Sequence, residues 1–183
     1  MTLRTVVVCL LLLFVLSVSL AFAQAPVYFD PQDAFIGDDA CDSVFCVEVY
    51  IGQCDSIKGY SFGITYDTTY LTLGSVSESG FLGSELFFWQ EVLSPPFATV
   101  TVDNGATGDP VPGPGHLFTL CFDPPFSCTP GEGPMPLVFS SGLVRDQLNH
   151  PIAISTVDGT VTVRCGITPV EKSLWGGIKN LYK

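Results

Sequence analysis

Basic side chains are scarce in this chain: its 183 residues carry seven Lys and Arg against 18 Asp and Glu, a formal charge of −11. The shortage is sharper in the body. From Gln24 to Cys165 only Lys58, Arg145 and Arg164 are basic, against 17 acids, leaving −14. Residues 166–183 carry Lys172, Lys179 and Lys183 against Glu171, leaving +2. A body this acidic repels phosphate backbones and has no basic aromatic stripe, which argues against nucleic acid as a partner.

Helical periodicity is missing until the last dozen residues. Catalytic motifs are missing too. There is no Gly-x-Ser-x-Gly, no metal-binding His pair, and no evident nucleophile for His116 or His150. The acids are many, but nothing singles out two as a glycoside-cleaving pair. The chain reads as a non-enzyme. It also lacks an Asn-x-Ser/Thr sequon and any Cys-x-x-Cys.

What is present begins with an export signal. Arg4 precedes the apolar run "VVVCLLLLFVLSVSLAFA", which closes on the small-x-small box Ala21-Phe22-Ala23. Residues 1–23 therefore read as a secretory signal peptide cleaved before Gln24, rather than as a membrane span. The remaining stretch of about 160 residues suits one well-filled domain. Six cysteines survive cleavage: Cys41, Cys46, Cys54, Cys121, Cys128 and Cys165. An even number in an exported chain reads as a disulfide framework in preference to zinc. If Cys46 to Ile51 is extended, Cys46 and Cys54 stand roughly 25 Å apart, beyond disulfide reach. Pro124-Pro125 can reverse the chain and bring Cys121 to Cys128.

Short alternating runs broken by turn residues mark an all-β sandwich. Nine strands are expected, near Val27–Phe29, Cys46–Ile51, Ile57–Tyr66, Leu71–Val76, Leu86–Val92, Ala98–Asp103, Leu117–Phe122, Leu137–Phe139 and Thr156–Arg164. Val47, Val49 and Ile51 should face one way, as should Ala98, Val100 and Val102, then Phe118, Leu120 and Phe122, then Val157, Val161 and Val163. Thr99, Thr101, Thr160 and Thr162 suit a solvated face. In "GYSFGITYD", Tyr60, Phe62, Ile64 and Tyr66 form one face. The other carries only Gly59, Ser61, Gly63 and Thr65.

The ordered series "CVEVYI", "IKGYSFGITYDTTYLTLGSV", "ATVTVDNGATG", "GPGHLFTLCF" and "VDGTVTV" resembles a cohesin domain across Pro26 to Arg164. The resemblance implies a nine-stranded jelly-roll sandwich related to carbohydrate-binding modules. It further implies a secreted, non-catalytic receptor for dockerin modules on polysaccharide-degrading enzymes. Members place Asn and Asp on the binding face where this chain has Gly59 and Ser61. The family's sheet order also sets the strand of Cys46 beside that of Cys121, making a Cys46–Cys121 bridge a rival to Cys121–Cys128.

The candidate partner-binding set is thus Lys58, Gly59, Ser61, Gly63 and Thr65, small enough for a partner helix or backbone to approach closely, with Asp67 as a turn cap. In "ELFFWQE", an inward Phe88 would leave Phe87 and Trp89 outward, able to stack on a sugar ring. Packing of Trp89 beneath the "SPPF" loop is the preferred reading, and carbohydrate binding the alternative. The acids Asp30, Asp33, Asp38, Asp39 and Asp42 match no calcium-loop motif and read as a solvated loop, so no cofactor or metal is expected, calcium being the sole weak candidate. In the tail, Leu174, Ile178 and Leu181 make a short basic amphipathic stretch weakened by Gly176-Gly177. Its form resembles short C-terminal endings of exported bacterial proteins, and a sorting or surface-attachment signal is the preferred reading, with membrane-surface contact and a disordered end as the rivals. The overall expectation is an exported module for a protein partner or polysaccharide, with no membrane span. The rival is a structural surface protein whose tail does the targeting.

Overall fold

The computed structural model describes residues 24–37, 43–83, 85–93, 97–124 and 134–163. The expected signal peptide, the C-terminal tail, Asp38, Asp39, Asp42, Cys41, Cys128 and Cys165 lie outside them. The described residues form twelve strands and no helix. In chain order they are β1 (Ala25–Asp30), β2 (Asp33–Ile36), β3 (Phe45–Ile51), β4 (Gly59–Asp67), β5 (Thr72–Glu78), β6 (Glu85–Leu93), β7 (Phe97–Ala106), β8 (Gly115–Asp123), β9 (Met135–Arg145), β10 (Pro151–Ile152), β11 (Ile154–Val157) and β12 (Gly159–Val163).

One sheet runs β11-β1-β3-β8-β5; the other runs β2-β12-β9-β4-β7-β6, with β10 on the end of β9. Twelve strands appear where nine were expected because two runs change layers. β1 and β2 belong to opposite sheets, as do β11 and β12, and β10 is only two residues long. The second crossing is pinned at Asp158. Its Oδ1 accepts the Phe139 amide at 2.9 Å, and its carbonyl accepts Gln32 Nε2 at 3.2 Å. A Cβ on Gly159 would stand 2.9 Å from the Phe29 ring, so this corner accepts only glycine. The crossing also breaks the alternation expected for the last strand. Val161 is fully buried in β12, but Val157, on β11 of the other sheet, is 37% exposed.

The core lies between the sheets, as alternation requires. From one side come Tyr60, Phe62, Ile64 and Tyr66 of β4 and Ala98, Val100 and Val102 of β7; from the other come Val47, Val49 and Ile51 of β3 and Phe118, Leu120 and Phe122 of β8. Tyr60 meets Phe118 at 5.8 Å and Tyr66 meets Phe122 edge-on at 5.4 Å, so aromatic contacts tie the layers together. The Tyr60 hydroxyl donates to the Leu117 carbonyl at 2.8 Å and accepts Asn104 Nδ2 at 3.3 Å, which satisfies a phenol that would otherwise be costly to bury.

Cys46 and Cys121 are directly opposed on β3 and β8 and are joined by a disulfide. Cys128 is therefore not the partner of Cys121. Cys54, a disulfide candidate on parity of number alone, is a free, half-buried thiol beside Gly113, and burial raises its pKa. Of the acidic cluster, Asp33 accepts a hydrogen bond from Thr160 Oγ1 at 2.8 Å, a strand-to-strand tie. Among the described residues no three metal-binding side chains come together.

Candidate docking face

β4 is a central strand, paired over its length with β7 on one side and β9 on the other. Its inward parity fixes Gly59, Ser61, Gly63 and Thr65 on the outer surface of the sheet. The neighbours that face outward with them follow from register. The first row across the sheet is Arg145–Gly59–Gly105–Phe87, and the second is Leu143–Ser61–Asp103–Trp89.

Those rows form a trough of about 760 Å³. Its floor is Gly59, Ser61 and Gly105; one wall is Phe87 and Trp89 of β6, and the other is Leu143 and Arg145 of β9 with the turn that follows. Phe87 and Trp89 are 48% and 46% exposed, while Phe88 between them packs on the core. The expectation that Trp89 is covered by core packing is thus overturned. Strand alternation fixes Phe88 inward and leaves both neighbours in solvent. The Phe87 ring leans over Gly105, where a Cβ would lie 3.0 Å from the ring. Glycine at position 105 therefore lets that wall tilt over the floor.

The expected site residues divide. Lys58, Gly59 and Ser61 line the trough, but Gly63 and Thr65 do not. Gly63 is buried. A register shift in β9 opposite Gly63 and Ile64 brings two serines over it, and a Cβ there would stand 2.5 Å from Ser141 Oγ and 2.8 Å from Ser140 Oγ. Thr65 is engaged with Thr99 through hydroxyls 3.0 Å apart. Asp67 caps its turn as expected, accepting the Thr69 amide at 2.8 Å.

Arg145 and the turn after it carry no local signal in the sequence. The turn is held by Asp146, whose Oδ1 accepts the Leu148 and His150 amides, each at 2.8 Å, while Asn149 takes a left-handed φ of 67°. Arg145 Nη1 donates to the Asn149 carbonyl at 2.9 Å, which aligns the guanidinium with this turn. The His150 amide, seconded by that of Leu148, holds the Asp146 carboxyl below the usual carboxylate range. A depressed folded pKa stabilises the turn above the unfolded value and loses that contribution as pH falls through the folded one. The protection factors of the Leu148 and His150 amides should therefore fall on acidification below the normal carboxylate range. In Asp146→Asn they should already be low at neutral pH. Equal protection in both proteins at both pH values would remove Asp146 as the turn's clamp.

The trough has the dimensions of a helix bed. From β9 to β6 is three inter-strand spacings, about 14 Å, and an α-helix with side chains is about 10–12 Å across. A floor of Gly59, Ser61 and Gly105, with Asp103 as its one longer side chain, lets such an element sit close to the sheet, with the aromatic wall along one flank.

No family model matches this sequence, and no curated protein does. Solved structures do match in shape. The cohesin CaCohA2 of Clostridium acetobutylicum superposes with a TM-score of 0.64 at 17% identity, over 80% of this chain and 94% of its own. The OlpA cohesin of Clostridium thermocellum, solved in complex with the dockerin Doc918, gives 0.63 at 15% identity over 77% of this chain and 99% of its own. A non-cellulosomal cohesin from the archaeon Archaeoglobus fulgidus gives 0.58 at 15% identity, over 84% of this chain and 96% of its own. On shape, this chain forms a cohesin-like β-sandwich.

Proposed function

We propose that this protein is an exported, non-catalytic docking module that holds a dockerin-type protein partner on the outer face of β9-β4-β7-β6. Extracellular polysaccharide degradation or cell-surface assembly is its setting, with the C-terminal tail as the sorting or attachment element. The observation that carries the reading is the trough itself. A central strand stripped to glycine and serine lies beside two large aromatic side chains that the fold leaves in water, an arrangement that gains only when something covers it. The cohesin-like sandwich supports the choice of partner class. The floor differs from the Asn and Asp that the family resemblance puts at Gly59 and Ser61, so the partner is expected to read shape and aromatic contact more than paired side-chain hydrogen bonds.

Titration of the purified protein by calorimetry against a panel of dockerin modules tests this. At least one should bind in the micromolar range or tighter, an association of about −8 kcal/mol. A panel spanning the known dockerin sequence classes with no binder would overturn the reading. The exposed pair Phe87 and Trp89 also supports a second reading, direct binding of a glycan by ring stacking. Retention of the protein on insoluble cellulose, chitin or xylan, abolished by Trp89→Ala, would establish it in place of the first.

A further inference from the structure

The trough gathers two of the three basic residues found between Gln24 and Cys165. Lys58 and Arg145 both line it, in a stretch whose formal charge is −14. Neither is neutralised. The one ion pair among the described residues joins His150 to Asp146, and neither Lys58 nor Arg145 takes part in it. Lys58 Nζ donates to the Gly108 carbonyl and Arg145 Nη1 to that of Asn149, bonds that place the cations and leave each with further donors. The two acids of the trough do not cancel them. Asp146 spends its oxygens on the amides of its own turn and on His150. Asp103 stands in the next row, between Ser61 and Trp89.

We infer that the docked partner brings a carboxylate side chain to Arg145, next to an aliphatic side chain that packs against Phe87 and Trp89. This identifies the partner's chemistry and rests on the docking reading above. A guanidinium held by one bond still presents a fork of donors, which suits a carboxylate and leaves a lysine facing it unpaired. Once a partner covers the trough, water no longer screens that pairing, and a buried unpaired Arg145 becomes a penalty against neutral or basic sequences. The bulk charge favours the opposite choice. The acidic body attracts basic ligands at long range, but over a Debye length of about 8–10 Å salt removes most of that. A local cation inside the trough therefore decides which sequence stays bound, and the two expectations can be told apart.

The test is a phage-displayed library of randomised helical peptides, selected on the purified protein and counter-selected on Trp89→Ala. Clones that depend on Trp89 should carry Asp or Glu within one helical turn of Leu, Ile or Met. Their synthetic peptides should bind Arg145→Glu on the order of 10- to 100-fold more weakly, as the loss of a charge-assisted pair implies. Replacing the peptide acid by Lys should restore part of the binding to that variant. Arg145→Gln, checked by its melting temperature, separates loss of charge from loss of the turn. Trp89-dependent clones that are neutral or basic, or that bind wild type and Arg145→Glu equally, overturn the inference and leave docking intact. A library with no Trp89-dependent clone overturns the docking reading and this inference together.

Discussion

Trp89→Ala should weaken binding of the docked partner by about 2–4 kcal/mol, on the order of 30- to 1,000-fold in Kd, while leaving the fold in place. Both halves of that expectation come from geometry. Trp89 is 46% exposed and shares the outer face with Phe87, so its truncation opens no core cavity. It also forms, with Phe87, the aromatic wall beside Ser61 and Asp103. Large aromatic anchors that a partner covers dominate interface energetics because they lose the most water on contact. Ser61→Arg tests the floor from the other side. A long cation raised from β4 would fill the space between the walls, and capture should fall below detection while thermal unfolding stays within a few degrees of wild type. Gly63→Arg is the wrong variant for this purpose, since the hydroxyls of Ser140 and Ser141 already occupy the space its side chain needs. It should unfold the domain whether or not the face binds anything. Full affinity in both Trp89→Ala and Ser61→Arg would exclude this face from docking.

The sandwich was legible in the sequence because its signal is local. Alternation in β3, β4, β7 and β8 needs only neighbouring residues, and the structure buries the sets that alternation assigned to the core. An inward Phe88 was offered by the same alternation, but only as one of two readings. The site was only half legible, because its parts meet through pairing that no local pattern records. "GYSFGITYD" and "ELFFWQE" read as two separate candidates, one for protein and one for sugar. Register across β6, β7 and β4 makes them the floor and wall of a single trough. Arg145 is 86 residues from Gly59 in sequence and directly opposite it in the sheet. The errors have the same origin. Gly63 loses its exposure to a bulge in β9, and Val157 keeps its solvent contact because the chain changes sheets one residue later. Trp89 was expected beneath the loop that follows it, because a large aromatic ring is more often covered than left in water; its strand lies at a sheet edge, where its outward face stays exposed.

Replacing Cys46 and Cys121 together by alanine should lower the stability of the domain by about 4 kcal/mol, the chain-entropy value for a ring of this size. The two residues are 75 positions apart, and the ring they close contains β4, β5, β6 and β7 as well as the two bridged strands. The unfolded chain is therefore restricted over more than a third of the sequence, whereas the native strands already hold the two positions opposite one another. The loss should appear as a lower denaturant midpoint with little change in the native spectrum. Wild type unfolded under a reductant should reproduce it, with Cys54→Ser as the background that prevents exchange onto the free thiol. An unchanged midpoint under reduction would mean that no such bridge stabilises the domain in solution, and peptide mapping of the unreduced protein would show how Cys46 and Cys121 are held. Partner binding supplies the internal contrast. The bridge lies in the sheet opposite the trough. Molecules of the double variant that remain folded should bind with wild-type affinity at low temperature, and lose capacity rather than affinity as the sample is warmed.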